Sequence, residues 1–409
     1  MGRRLLFSFA FVASLHLPAQ AQIQSGPLRL DPGARVVFLG DSITHMGHYV
    51  AAFESALWSL MPEKDLTFFN AGVSGDVAAD ALERLDAEVI AQKPDVVTIL
   101  LGMNDARYRA LDSDLLDTYR RDMTHIVQRL TGETQAQVVL LAPSYFDEVS
   151  IPEGRQAPPA YNDTLIRYGT VCRSLAEQFE CHFVDLNRPL LEASAALRAQ
   201  DESVSLVPDA IHPNAAGGLV MAHALLKGLV DPSFSRGLTL PTPEQAEQQA
   251  RVQLSLRAVP PAWDTQTCSG IAEFLKWPET WNPYYLDASH LPAGRWKVWL
   301  GESPALEVEG GVRGPAVPLA NLPAALLERA STVQGLFDRR RRIVGTEVRD
   351  EVWRIKGSGT AASRQQRYAS IHSESLKLAW VKIAVLDKQL VQALREPLLV
   401  ACRVERCKD

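Results

Sequence analysis

Four short stretches of this 409-residue chain carry residue types that can act together on a carbonyl carbon. Gly40-Asp41-Ser42-Ile43-Thr44 follows an apolar run and puts a serine where a strand would turn into a helix, its hydroxyl projecting and its amide free to meet an anion. Asn70-Ala71-Gly72-Val73-Ser74-Gly75 and Gly102-Met103-Asn104-Asp105 follow two further apolar runs, and Asp209-Ala210-Ile211-His212-Pro213 precedes a helical pattern. A serine hydroxyl attacks a carbonyl only when a base takes its proton. An imidazole can do so near neutral pH, and a carboxylate three residues earlier can accept its other N–H and fix its tautomer. The charge that develops on the carbonyl oxygen needs donors held ready. The candidates are therefore Ser42 as nucleophile, His212 as base and Asp209 as its orienter, with the Ser42 amide, the Gly72 amide and the Asn104 side chain as oxyanion donors. Gly72 suits that task because a residue without Cβ lets backbone approach a substrate closely.

Each piece also has a plainer use. Gly72 and Gly75 fit turns, Asn104 and Asp105 fit helix caps, Asp209 fits a loop cap, and His212 fits a half-buried helix start. Asp41 reads as a loop-supporting acceptor, and His45 and His48 as rim or packing residues on the helix after Ser42. What favours the chemical reading is the joint occurrence of all four pieces at element ends.

Those elements are legible from hydrophobic patterning. Arg35 to Leu39, Leu66 to Phe69, Val96 to Leu101, Val138 to Leu141 and His182 to Asp185 are short runs rich in Val, Ile, Leu and Phe, which predicts buried strands. Between them, Tyr49 to Leu60, Val77 to Ile90, Leu115 to Leu130, Tyr161 to Phe179 and Asn214 to Leu229 carry helical periodicity. Strands alternating with helices of this length predict an α/β fold, a parallel sheet covered on both faces. Its ligand site lies beyond the carboxyl ends of the strands, where the four stretches fall.

In this order, on these strand ends, the stretches resemble the SGNH (GDSL-type) hydrolase family, whose four named residues correspond to Ser42, Gly72, Asn104 and His212. The resemblance covers roughly residues 35–230. It implies a flavodoxin-like three-layer fold and a serine esterase that needs no metal or organic cofactor. The position after Gly217, often histidine in relatives, is Gly218 here. SGNH relatives include carbohydrate O-acetylesterases, lipases, thioesterases and arylesterases. The polar, aromatic stretches Arg107-Tyr108-Arg109 and Tyr145 to Pro159 suit a sugar-borne acetyl group better than a long acyl chain, which calls for a broad apolar groove. An acetylated saccharide is thus the expected substrate, and a short-chain carboxylesterase or lipase the alternative.

The rest of the chain sets the context. Arg3 and Arg4, the apolar run Leu5 to Leu17 and Ala19-Gln20-Ala21 read as a signal peptide over residues 1–21, predicting export to the periplasm or the outside. Cleavage there removes two arginines and no acidic residue, moving the formal charge from −6 to −8, which argues against nucleic acid as a partner. No later stretch is apolar for long enough to span a bilayer.

Residues 33–230 read as the catalytic domain and residues 231–248 as a polar linker. Residues 249–409 read as a mixed domain, with a hairpin from Arg295 to Leu300 and Leu306 to Glu309 and helical patterns around Pro323 to Arg342 and Ser370 to Leu394. The run Arg339 to Arg342 reads as a solvated helix face. Seven of the eight tryptophans lie at or beyond Trp263. They fit either a second core or a glycan-stacking surface, and the latter leaves open a non-catalytic glycan-binding protein of the same fold. Five cysteines, none with metal-site spacing, allow a Cys172–Cys181 bridge and pairings among Cys268, Cys402 and Cys407.

Overall fold

Runs of β-branched and aromatic residues without charge cannot stay half-solvated, and five of them form one parallel sheet. The strands are β1 (Arg35–Gly40), β2 (Thr67–Gly72), β3 (Val96–Leu100), β4 (Gln137–Leu141) and β5 (His182–Val184), in the order β2-β1-β3-β4-β5. The computed structural model describes residues 23–407 except 25, 157, 232–235, 243, 246–251, 257–264, 278–280, 282–283, 319–320 and 373–374. The expected signal peptide lies outside them.

Every residue of the central β3 is buried, as is β1 beyond Arg35, because helices cover both faces. The helices of this half are α1 (Ser42–Met46), α2 (His48–Leu60), α3 (Ala78–Glu83), α4 (Leu85–Glu88), α5 (Ser113–Glu133), α6 (Tyr161–Gln178), α7 (Asn187–Arg198) and α8 (Ala215–Leu229). This is the flavodoxin-like order, whose direction reverses between β1 and β3, so a crevice opens beyond their carboxyl ends. Ser42 follows β1 and Asn104 follows β3.

Patterning missed α1 and α7, and it ran α3 and α4 together. They are separate because Arg84, at φ −104° and ψ 7°, leaves helical geometry. Its buried side chain turns inward, where Nε donates to Asp76 Oδ2 at 2.8 Å and Nη2 to the carbonyl of Gly40 at 3.2 Å. Gly218 packs on α2. A Cβ there would lie 2.7 Å from His48 Cβ, so this position has no room for a side chain.

The later half holds β6 (Arg236–Thr239), β7 (Val252–Leu256), β8 (Tyr284–Asp287), β9 (Arg295–Leu300), β10 (Leu306–Glu309), β11 (Arg313–Ala316) and β12 (Leu398–Arg406). They make a four-stranded sheet, β10-β9-β12-β7, and a three-stranded one, β11-β8-β6, around a core that includes Tyr284, Trp296, Val298 and Val404. The hairpin pairs Leu306 with Val298, in the expected segments. The stretch expected as a linker is different: β6 lies in it and pairs in parallel with β8, so it belongs to the β-rich part.

The helices of this half are α9 (Thr265–Phe274), α10 (Ala324–Ile343), α11 (Asp350–Lys356), α12 (Ala361–Ile371) and α13 (Lys377–Arg395), with a π-helical stretch, Val344–Arg349, joining α10 to α11. They do not form a separate body with the β strands. Leu336, Phe337, Leu390 and Leu394 share the core of the parallel sheet, and Val73, just past β2, is buried among Val344, Val348, Val352 and Ile383. The arginine run is not uniformly solvated either. Arg340 is buried, with Nη1 donating to Glu54 at 2.9 Å and Nε to Asp387 at 2.7 Å.

Cys172, Cys181, Cys402 and Cys407 are free thiols, so the Cys172–Cys181 bridge is not formed. Cys172 instead sits 3.1 Å from the Tyr119 hydroxyl inside the core. The side chain of Cys268 is outside the described residues. The tryptophans mostly pack: Trp277, Trp281 and Trp296 are buried and Trp380 stacks on Phe69 at 5.2 Å. Trp353 is exposed, and Trp263 is outside the described residues.

Candidate active site

The four stretches meet around the carboxyl end of β1. Asp41 caps α1, its Oδ1 accepting the Ile43 amide at 3.0 Å, which leaves Ser42 as the first helical residue, half-buried. Asn70 braces this short helix from the next strand, Nδ2 donating to the Thr44 carbonyl at 2.6 Å.

Across the crevice, Asp209 closes a tight turn on itself. Its Oδ1 accepts the amides of Ile211 at 3.0 Å and His212 at 2.7 Å, and Ala210 takes φ +72°, a costly conformation for a residue with a side chain. That turn folds the imidazole back over the carboxylate. His212 Nδ1 lies 2.7 Å from Asp209 Oδ2, and His212 Nε2 lies 2.8 Å from Ser42 Oγ. Burial works against the charge on Asp209, but the hydrogen bonds from the His212 ring and from the two amides outweigh it and hold the carboxyl below its usual range.

Asn104 stands at the third corner. Its Nδ2 donates to the Asp76 carbonyl at 3.0 Å, and its Oδ1 accepts from the Tyr108 hydroxyl at 3.0 Å, leaving one amide hydrogen unused. Asp105 caps α3 rather than a helix of its own, accepting the Ala78 amide at 2.8 Å. Burial pushes the Asp41 and Asp105 carboxyls up to about 7, and both serve as acceptors for backbone amides. His45, expected as a rim or packing residue, is buried with Nδ1 3.1 Å from Ser74 Oγ and Nε2 3.2 Å from Asp350.

Gly72 does not stand where its expected task would need it. It is the last residue of β2, paired with Gly40 inside the sheet, and its amide already donates to Asn70 Oδ1 at 2.8 Å. A Cβ there would fall 2.2 Å from the His45 nitrogen, so its lack of a side chain admits α1 rather than substrate. Beyond it, Val73 to Asp76 form a turn closed by the Asp76 amide on the Val73 carbonyl at 3.1 Å. Gly75 is exposed at the third position of that turn with φ +76°, a place that calls for glycine. The Asp76 amide closes the turn and the Val73 amide donates to the Gly40 carbonyl at 3.0 Å, whereas neither bond uses the amide of Gly75. The Asn-Ala-Gly-Val-Ser-Gly stretch signalled both glycines, and only the strand's end point separates their roles.

Among the described residues no group of three or more His, Cys, Asp or Glu could hold a metal ion. Among them, too, no helix is long and apolar enough to cross a membrane.

Residues 38–218 match the profile of the GDSL-like lipase/acylhydrolase family. An acetylxylan esterase of Geobacillus stearothermophilus is 29% identical over 222 residues, spanning 49% of this chain and 95% of that protein. A gut microbial diltiazem-metabolizing enzyme shares the fold with TM-score 0.70 at 19% identity, over 95% of this chain and 100% of its own. The solved acetylxylan esterase Axe2 of G. stearothermophilus aligns at 26% identity and TM-score 0.41, over 50% of this chain and 97% of its own.

Proposed function

We propose that this chain, which through residues 38–218 belongs to the GDSL-like (SGNH) lipase/acylhydrolase family and is a serine ester hydrolase, removes acetyl groups from O-acetylated carbohydrate. The observation that carries the mechanism is the relay Ser42 Oγ, His212 Nε2, His212 Nδ1, Asp209 Oδ2, with contacts of 2.8 and 2.7 Å. His212 takes the Ser42 proton as Oγ bonds to the carbonyl carbon. The tetrahedral adduct then collapses, its bond to the alcohol oxygen breaks, and that oxygen receives the proton held on Nε2. Water activated by the same imidazole releases the acetyl group as acetate and restores Ser42. Asp209 stays anionic throughout and holds the imidazolium formed in both halves of the cycle.

The oxyanion donors we assign are the Ser42 amide, the free Nδ2 hydrogen of Asn104 and the Gly75 amide, which replaces Gly72 in that role. The bond from Asn104 to the Asp76 carbonyl supports this, because it sets the carboxamide beside the turn that carries Gly75. Export of the protein is part of the proposal, supported by the pattern of residues 1–21. The acetyl-carbohydrate reading is supported by the likeness to an acetylxylan esterase.

The test is an activity panel on the purified protein, comparing acetylated xylo-oligosaccharides with aryl esters of rising acyl length, alongside labelling by a serine-directed organophosphonate. Ser42 should be the labelled residue, acetyl should be the preferred acyl group, and Ser42→Ala should lose about six orders of magnitude in kcat. Retained turnover in a folded Ser42→Ala protein would falsify the serine mechanism. A preference for long acyl chains would overturn the acetyl reading.

A further inference from the structure

A cavity of about 510 Å³ opens beside Asp209, walled by Tyr108, Phe146, Ile151, Pro152 and Arg155, with Asp209 and Ile211 at its edge. Its volume falls within the roughly 300–1,000 Å³ of small-molecule sites. The chemistry fixes which half of an ester could enter it. The departing alcohol oxygen must meet His212 Nε2 to receive its proton, so the alcohol lies on the His212 side of Ser42, the side on which Asp209, Ala210 and Ile211 line this cavity.

Tyr108 joins the cavity to the reacting centre. Arg107 and Tyr108 both take φ +51°, two consecutive left-handed residues without a glycine, a conformation that persists only where the surroundings impose it. Three contacts impose it here. The Tyr108 ring is backed by Tyr161 at 5.1 Å, Tyr161 donates its hydroxyl to the Met103 carbonyl, and the Tyr108 hydroxyl donates to Asn104 Oδ1 at 3.0 Å. Burial, and then the charges of Asp41 and Asp209, push that phenol up to about 12, so it keeps the proton it gives to Asn104. With Oδ1 held by Tyr108 and one Nδ2 hydrogen by Asp76, the remaining hydrogen of Asn104 has a fixed direction.

We propose that this cavity is the subsite for the alcohol half of the substrate, a pyranose-sized polyol, and that Tyr108 both walls it and orients Asn104 through its hydroxyl. The inference rests on the esterase reading above. The wall chemistry selects the ligand class. Aromatic and proline faces suit the C–H face of a sugar ring, while Arg155 and Gln156 supply donors for its hydroxyls. Both are solvent-exposed, and a polyol exchanges their water contacts for direct hydrogen bonds, which a long alkyl alcohol does not. Tyr108 is in this sense a positioning residue for Asn104 and a specificity residue for the alcohol.

Steady-state kinetics of the full chain on 4-nitrophenyl acetate and on an acetylated xylo-oligosaccharide test both parts. Tyr108→Phe keeps the ring and loses the brace, so kcat should drop about tenfold or more on both esters while KM stays within about twofold. Tyr108→Ala should show the same loss in kcat and, on the sugar ester alone, a KM raised about fivefold or more. Arg155→Ala should raise KM on the sugar ester only. An unchanged kcat in Tyr108→Phe would overturn the brace. A KM that rises equally on both esters, or on neither, in both Tyr108→Ala and Arg155→Ala would overturn the subsite. Failure of the wild-type chain to hydrolyse either ester, with no phosphonate label on Ser42, would sink the esterase reading itself and is distinguishable from both.

Discussion

At the scale of single residues, the relay divides its work unequally. Asp209 does two jobs, holding the turn through Oδ1 and the imidazole through Oδ2. Asp209→Asn keeps an acceptor for the turn but presents an amide to His212, which favours the wrong tautomer. We expect kcat to fall by about 10²–10⁴ with KM little changed, read by steady-state kinetics beside an unchanged thermal midpoint. Loss in KM alone would make Asp209 a substrate-binding group. Asn104→Ala should cost about 10²–10³ in kcat, since its bond strengthens only in the transition state. Ser42, Asn104, Asp209 and His212, the candidates that the structure sets around one crevice, were legible because each sits in a short local pattern at an element end. The same kind of pattern did not separate Gly72 from Gly75. Both glycines fit a turn, and which one lies inside the sheet depends on where β2 stops, set by its pairing with β1. Tyr108 was legible only as part of a polar, aromatic rim; its contact with Asn104 was not, since it depends on a left-handed backbone and on the Tyr161 ring behind it, far along the chain.

At the scale of elements, the parallel sheet was legible because each buried strand is a short uninterrupted apolar run. The placement of the later helices was not. An amphipathic pattern says that one face of a helix is covered, and it does not say by what. What covers α10 to α13 is the β2 side of the sheet, and buried charge marks the seam. Arg349 Nη1 donates to Glu88 at 2.6 Å with both side chains fully buried, and His372 Nε2 adds a contact to the other Glu88 oxygen. Burial opposes the Glu88 charge, but the Arg349 charge and the His372 hydrogen bond outweigh it and hold its pKa below the usual 4.5. A depressed carboxylate contributes stability that is fully present above about 4.5 and is lost as pH falls through its folded value. Glu88→Gln would leave a buried guanidinium without a counter-charge, at a cost of about 3–5 kcal/mol near neutral pH. Urea unfolding at neutral and acid pH checks both parts: the variant should be weaker at neutrality and lose less on acidification. The pair Glu88→Met with Arg349→Met should lie closer to wild type than Glu88→Gln does. Equal acid sensitivity in wild type and Glu88→Gln would mean that the seam is not held by this charge.

At the scale of the whole molecule, the later half reaches the site at two places, α1, where Asp350 lies 3.2 Å from His45 Nε2, and the loop after β2. Val73 is buried among the later helices, and Lys356 Nζ lies 3.0 Å from Asp76 Oδ1 and 2.8 Å from Asp80 Oδ2. Asp76 also takes Arg84, which in turn holds the Gly40 carbonyl just before Ser42. The turn that carries Gly75 is thus fixed from beneath by its own domain and from the side by α11. A chain ending near Asp231 would keep the relay and lose that side support. It would also open the face on which Phe69, Val73 and Trp58 are covered, and strip Glu54 and Glu88 of their arginines. We therefore expect the shortened chain to be less soluble and to have a lower thermal midpoint, with kcat reduced even on a small acetyl ester. Lys356→Met isolates the loop from the fold. It should lower kcat about tenfold on small and large esters alike with KM nearly constant, and Lys356→Arg should recover most of the loss. A drop in thermal stability without a change in kcat would assign Lys356 a structural role only. A monodisperse shortened chain with wild-type kcat on the small ester would show that the later half leaves the reacting centre untouched.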